Sequence, residues 1–218
     1  WDYDLPAAPN LIDIEVDGQK IKAVAQVTKQ GFCFVFDRIT GEPVWPIKEK
    51  TVPQSDIPGE KSSPTQPIPS KPLAFERQGL TEDDIIDFTP TLHQMAKTIA
   101  DGYSYGPLYM AQTVASMDKK GTIIVPGIIG GASWAGAAVD PTKGVIYIPS
   151  YTFPAFLTIT KAAAPDAHFR YTGGVGFGPA GPRGLPLLKP PYGRITAIDL
   201  NTGEHVWQIP VGDGPRDH

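Results

Sequence analysis

A nine-residue pattern that occurs twice does most to limit the folds open to this chain. Asp37-Arg38-Ile39-Thr40-Gly41-Glu42-Pro43-Val44-Trp45 returns as Asp199-Leu200-Asn201-Thr202-Gly203-Glu204-His205-Val206-Trp207, with Asp, Thr, Gly, Glu, Val and Trp in register. The chemistry of the pattern is that of a tight turn. Asp accepts hydrogen bonds from the turn's own N–H groups, Gly takes a positive φ, and Trp supplies a ring large enough to cover the gap between neighbouring sheets. A weaker copy, Val139-Asp140-Pro141-Thr142-Lys143-Gly144-Val145-Ile146-Tyr147, keeps the turn and has Tyr147 in place of Trp. A lone Asp-x-x-Thr-Gly is a common hairpin turn; two long copies in register point to a repeated antiparallel unit.

The neighbouring residues agree with that unit. Leu11-Ile12-Asp13-Ile14-Glu15-Val16 alternates with period two, Asp17-Gly18 supplies a hairpin turn, and Ile21 to Val27 reads as the return strand. Phe32 to Phe36 reads as a third strand, and Glu42 to Trp45 as a short outer fourth, which together match one propeller blade in size. The second long copy follows a strand from Arg194 to Ile198, and the weak copy precedes one from Val145 to Ile148. With 24 Pro and 23 Gly against 19% charged residues, the chain favours turns and ordered loops over a helix bundle. Pro46 to Pro72 reads as an extended excursion, and Lys161 to Pro191 as a second loop of Gly, Pro and Ala. Between them Thr81-Glu82-Asp83-Asp84 opens a helix, with Thr81 as cap and Asp84 reaching back. Thr89-Pro90 opens another, with Leu92, Met95, Ala96 and Ile99 at helical spacing and Gly102 at its end.

Several function classes are disfavoured. A net charge of −4 without a basic cluster argues against a nucleic-acid surface. The single Cys33 cannot form an internal disulfide and reads as a small buried strand residue. His93, His168 and His205 lack a second ligand at metal spacing, so no metal site is assigned to this chain. Gly173-Gly174-Val175-Gly176-Phe177-Gly178 follows no expected strand and opens no helix, so it reads as loop composition and not as a dinucleotide fingerprint. The uncharged run Gly121 to Val139 is broken by glycines and Pro126 and reads as two buried strands around a glycine-rich turn, not a membrane span. The chain starts at Trp1 with no leader signal, as a mature product or an internal piece would.

Trp1-Asp2-Tyr3-Asp4, Thr28-Lys29-Gln30-Gly31, Pro53-Gln54-Ser55-Asp56-Ile57-Pro58-Gly59-Glu60-Lys61, Asp87-Phe88-Thr89-Pro90 and Gly130-Gly131-Ala132-Ser133-Trp134, taken with the repeated turns, resemble the quinoprotein dehydrogenases. These are alcohol and sugar oxidases built on eight-bladed β-propellers around pyrroloquinoline quinone. The stretch from Val52 to Phe88 is closer to the membrane-bound glucose/quinate/shikimate branch than to the methanol dehydrogenases. The resemblance implies an all-β segment of such a propeller, with residues 1–218 supplying about three of its W-motif blades and residues 46–107 a Pro-rich, helical insertion. The segment ends at Arg216-Asp217-His218, before the blade that closes the ring in that family.

The resemblance also implies roles. Asp2 stands where the family has its general base, which takes the hydroxyl proton while hydride leaves for the quinone; Asp4 is the rival carboxylate. Lys29 stands where the sugar- and polyol-oxidising branch has a cofactor-binding lysine, whose cation stabilises charge gathering on the quinone oxygens. Trp134 and Ser150 fall at cofactor-contacting positions, although Trp134 reads more readily as a core indole and relatives carry Asn where Pro149-Ser150 stands. Ser133 replaces a more usual Asn or Glu. Calcium is expected beside the quinone, with most ligands outside this chain, and electrons pass to ubiquinone or a cytochrome. The full-length protein is expected in the periplasm, membrane-associated through parts absent from this chain. Three blades alone are expected to be inactive. The alternative is a propeller scaffold for protein binding without catalysis.

Overall fold

Twelve strands and one α-helix make up the computed structural model, which describes residues 1–164 and 166–215. The terminal Arg216-Asp217-His218 lies outside the described residues. The first sheet has strands β1 (Asn10–Val16), β2 (Gln19–Val27) and β3 (Cys33–Asp37) in that order. The period-two reading holds here: Ile12 and Ile14 of β1 are buried while Leu11, Asp13 and Glu15 face outward. Asp17 and Gly18 both take positive φ, 51° and 78°, as a two-residue hairpin turn that follows the strand twist requires.

A four-stranded sheet runs in the order β12 (Glu204–Pro210), β11 (Gly193–Asp199), β8 (Val145–Tyr151), β7 (Ala138–Asp140). Its Ile146, Ile148, Ile198 and Leu200 share a core with Ile12, Ile14, Ala23, Ala25, Val27, Cys33 and Val35 of the first sheet, so the two sheets pack face to face. Each such aliphatic side chain, fully buried, contributes roughly 1.5–3 kcal/mol. The alanines of β2 let the sheets approach closely.

All three turn copies fold alike. Asp37, Asp140 and Asp199 each accept the backbone N–H two residues on, at 2.7, 2.9 and 2.8 Å. Gly41, Gly144 and Gly203 close them with φ of 80°, 72° and 73°. The rings differ. Trp45 packs against the shared core and the second turn at Gly203. Tyr147 does not fill a gap between sheets: it lies 5.8 Å from Trp207, both rings flanking Ala197 within one sheet.

Elsewhere the structure corrects the sequence reading. Glu42 to Trp45 forms no fourth strand; it makes one bridge, Phe36 with Pro43, because Pro43 and Pro46 lack N–H donors. The Pro-rich excursion contains a hairpin, β4 (Ile47–Thr51) with β5 (Thr65–Pro69). Thr81 to Asp84 is a single 3-10 turn with its capping box formed. α1 (Pro90–Asp101) is capped by Thr89, whose Oγ1 accepts from Leu92 N at 3.2 Å, and ends at Gly102. It buries Ala96 and Ala100, whereas Met95 is exposed. The run Gly121 to Val139 is not a strand pair: β6 (Thr122–Ile124) and β7 belong to different sheets. The Gly-rich excursion contains a strand too, β10 (Tyr171–Phe177), paired with β9 (Ala155–Lys161) just before it in a sheet ordered β10-β9-β6. Gly173, Gly174 and Gly176 are therefore strand residues, and the Phe156 ring covers Gly176 where a Cβ would stand. Among the described residues no helix is long and apolar enough to cross a membrane.

Candidate active site

The segment Trp1 to Asp4 carries no secondary structure, and its side chains are placed by the contacts they make. Alternate residues point to opposite sides. Trp1 and Tyr3 lie edge-on to Tyr109, with centroids at 5.3 and 5.8 Å. Trp1 Nε1 donates to Met110 O at 2.8 Å, and Tyr3 OH to Pro126 O at 2.7 Å. Burial, reinforced by Tyr109, pushes the Tyr3 phenol well above its ordinary range, so this ring is a neutral anchor. The aromatic side being pinned, Asp2 and Asp4 turn the other way, and both accept from Lys29 Nζ, at 2.8 and 2.6 Å.

Lys29 is not the solvated lysine of an ordinary hairpin: it is 7% exposed, while the side chains of Asp2 and Asp4 keep 56% and 60% of theirs. The turn that carries it is tied at three consecutive carbonyls. Lys29 O accepts from Gly131 N at 2.8 Å, Gln30 O from Gln78 Nε2 at 2.6 Å, and Gly31 O from Phe75 N at 2.9 Å. Gly31, at φ 86°, and Gly130, at 77°, have a backbone conformation and a closeness of approach that exclude a Cβ; one at Gly130 would collide with the Lys29 stem. Desolvation pulls the Lys29 pKa down, but hydrogen bonds to Asp2 and Asp4 outweigh it and the net shift is upward. Asp4 is held below the usual carboxylate range, chiefly by the hydrogen bond from Lys29. The result is an ammonium whose charged form is favoured, with two of its three donors taken by carboxylates among the described residues.

The other expected residues fall elsewhere. Trp134 is no core indole: it is 82% exposed, three positions beyond the Gly131 that bonds Lys29. The surrounding Gly130, Gly131 and Gly136 offer no side chains to bury it. Ser150 is buried at 1% exposure, opposite Arg194 across the β8–β11 ladder, and its Oγ lacks a protein partner. His93 bonds Ile86 O and His205 bonds Leu73 O, both at 3.0 Å. Among the described residues no three His, Cys, Asp or Glu side chains converge on a metal-sized site. Sequence reasoning missed Tyr109, Gln78, Glu76 and Arg194. Tyr109 has a positive φ of 64°, which no sequence pattern announces, and Glu76 and Arg194 are 118 residues apart.

A family model for the β-propeller domain of the PQQ-type glucose, ethanol and alcohol dehydrogenases matches residues 1–218. The chain belongs to this family. It is 32% identical to the quinate/shikimate dehydrogenase (quinone) of Acinetobacter baylyi, over 97% of this chain and 28% of that protein. The quinoprotein glucose dehydrogenase of Escherichia coli is also 32% identical, over 100% of this chain and 29% of its own length. The glycerol dehydrogenase large subunit of Gluconobacter thailandicus is 32% identical as well, over 97% of this chain and 32% of its own. Among solved structures, a europium-containing methanol dehydrogenase superposes with a TM-score of 0.50 at 20% identity, covering 96% of this chain and 28% of that one, a likeness of fold. The chain thus spans under a third of the length of the curated relatives it matches. It is a segment of a quinoprotein β-propeller, and the scaffold alternative has no support among these relatives, which are named as dehydrogenases.

Proposed function

We propose that this chain is the part of a PQQ-dependent dehydrogenase that carries its proton-accepting carboxylate, and that the whole enzyme oxidises an alcohol group of a sugar, polyol or cyclic hydroxy acid. The observation that carries this reading is the buried Lys29 ammonium held 2.8 Å from Asp2 and 2.6 Å from Asp4, with both carboxylates open to solvent. The residues fit a planar quinone with electron-rich carbonyl oxygens: Lys29 has a third donor beyond the two given to Asp2 and Asp4, and Trp134 presents an uncovered aromatic face. When bound, pyrroloquinoline quinone supplies the acceptor for the hydride and calcium supplies a Lewis acid. Asp2 and Asp4 offer calcium too few of the six to eight oxygens it takes, so most ligands come from the rest of the propeller.

On this reading Asp2 would accept the hydroxyl proton of the alcohol, and the bound quinone would be the acceptor for the carbinol hydride. Lys29 orients Asp2 and steadies negative charge at the oxygen it faces. Asp4 is closer to Lys29, and we assign it to holding the ammonium. Ser150, buried behind the site, is left out of the contact set. Electrons go on to ubiquinone or a cytochrome, in a periplasmic protein whose membrane attachment lies outside residues 1–218. The isolated segment should show no turnover. In the full-length enzyme, Asp2→Asn should lower kcat by ~10²–10⁴-fold while quinone still binds. Turnover at the wild-type rate would end this assignment.

A further inference from the structure

Behind the Lys29 turn lies a second charged pair. Glu76 is 4% exposed, and its Oε1 accepts three hydrogen bonds, from Thr152 Oγ1 at 2.6 Å, Arg194 Nη1 at 2.6 Å and Arg77 N at 2.9 Å. Arg194, 5% exposed, also donates through Nη2 to Thr152 Oγ1 at 2.5 Å and to Pro191 O at 2.7 Å. Three segments far apart in sequence meet on one carboxylate. Its stem is equally confined. A Cβ on Gly31 would stand 2.7 Å from Glu76 Cβ, and one on Gly131 would stand 2.9 Å from Glu76 Cβ and Cγ. Glu76 is therefore wedged between the Lys29 turn and the loop leading to Trp134, and its neighbours Phe75 and Gln78 are the donors that hold Gly31 and Gln30.

As a source of stability this pair is poorly finished. Glu76 Oε2, Arg194 Nε and the adjacent Ser150 Oγ are buried without a partner among the described residues. A buried pair repays its desolvation only when its remaining lone pairs and protons are satisfied, so an incomplete one is a weak stabiliser whose best use is to fix a unique arrangement. We propose that Glu76 and Arg194 are positioning residues. Together they set the Lys29 turn against the Trp134 loop, acting on the Asp2–Lys29 couple through Gly31 and Gly131. The catalytic half of this proposal rests on the function proposed above; the geometric half does not.

The test uses the full-length enzyme with Glu76→Ala, the conservative Glu76→Gln, and Asp2→Asn as reference. With Glu76→Ala, kcat should fall by ~10- to 100-fold, the scale of a misplacement of about 1 Å, while KM for the alcohol changes by less than about threefold. The acid limb of its kcat–pH profile should move, and Glu76→Gln, which keeps the stem and an acceptor oxygen, should recover most of the rate. Independently of activity, amide hydrogen exchange should rise by about tenfold or more in peptides covering 28–32 and 129–133, with the first sheet unchanged. Unaltered exchange in those peptides, or a uniform rise across the protein, would overturn the proposal, as would wild-type kcat with a wild-type pH profile. Should Glu76→Ala fail to fold, Arg194→Lys, which keeps charge but loses the planar fork, must show the same two-peptide rise or the proposal fails. If Asp2→Asn retains turnover, the base assignment is wrong, and the exchange pattern still decides the role of Glu76.

Discussion

Two of the clusters that join a carboxylate to a cation, Asp2–Lys29–Asp4 and Glu76–Arg194, differ in which partner meets water. At Asp2–Lys29–Asp4 the cation is buried and the carboxylates are more than half exposed. At Glu76–Arg194 both side chains are enclosed, at 0% and 5% exposure. An exposed carboxylate can trade a proton with a substrate or solvent, and its ion pair adds little to stability. An enclosed one can do neither cheaply, but it holds its surroundings in a single geometry. The open cluster is suited to chemistry and the closed one to placement. They meet at Gly31, whose backbone belongs to the Lys29 turn and whose Cα rests on Glu76.

The contrast can be broken from the closed side first. Arg194→Ala would leave Glu76 buried without its cation and should cost about 3–5 kcal/mol in a denaturant titration of the full-length protein. A loss comparable to that of a surface pair would erase the distinction between the clusters. Gly31→Ala strikes the junction: the φ of 86° and the 2.7 Å approach to Glu76 both resist a Cβ. About 1–3 kcal/mol should be lost by the same measurement. Lys29→Met should cost about 1 kcal/mol or less, since its partners are largely solvated, yet abolish most turnover. If it instead destabilised the fold as much as Arg194→Ala, the cluster would be structural.

The smallest effect is a titration. The carboxyl of Asp4 has a folded pKa below its ordinary 3.8, so its pairing contributes stability above that value and loses it as pH falls through the lower folded value. Carboxyl ¹³C NMR of Asp4 should give a midpoint under 3.8; a midpoint at or above it would mean the pair does not form in solution.

What could be read from the sequence was local. The three Asp-to-Gly turns, the Asp17-Gly18 hairpin and the Thr89 cap depend on residues within four positions of one another, and each folds as its chemistry dictates. Asp2 and Lys29 were found through resemblance, and the structure brings them together, but the packing of Trp1 and Tyr3 on Tyr109 joins residues far apart in sequence. The misreadings have long-range causes. β4, β5 and β10 looked like loops because proline and glycine have weak strand propensity, yet each pairs along its length with a partner ten or more residues away. Pro67 and Pro69 are tolerated because β5 pairs on one side only. Trp134 looked like a core residue because tryptophan usually is one; the glycines around it leave nothing to enclose it.

That exposed indole also makes the protein its own optical probe. An indole in water emits at the red end of the tryptophan range, and any flat chromophore laid over Trp134 would shield it and draw off its excitation energy. Loading of the cofactor could then be followed by fluorescence, without turnover and before the substrate is known, with Trp134→Phe as the control that separates its share of the emission from that of Trp1, Trp45 and Trp207.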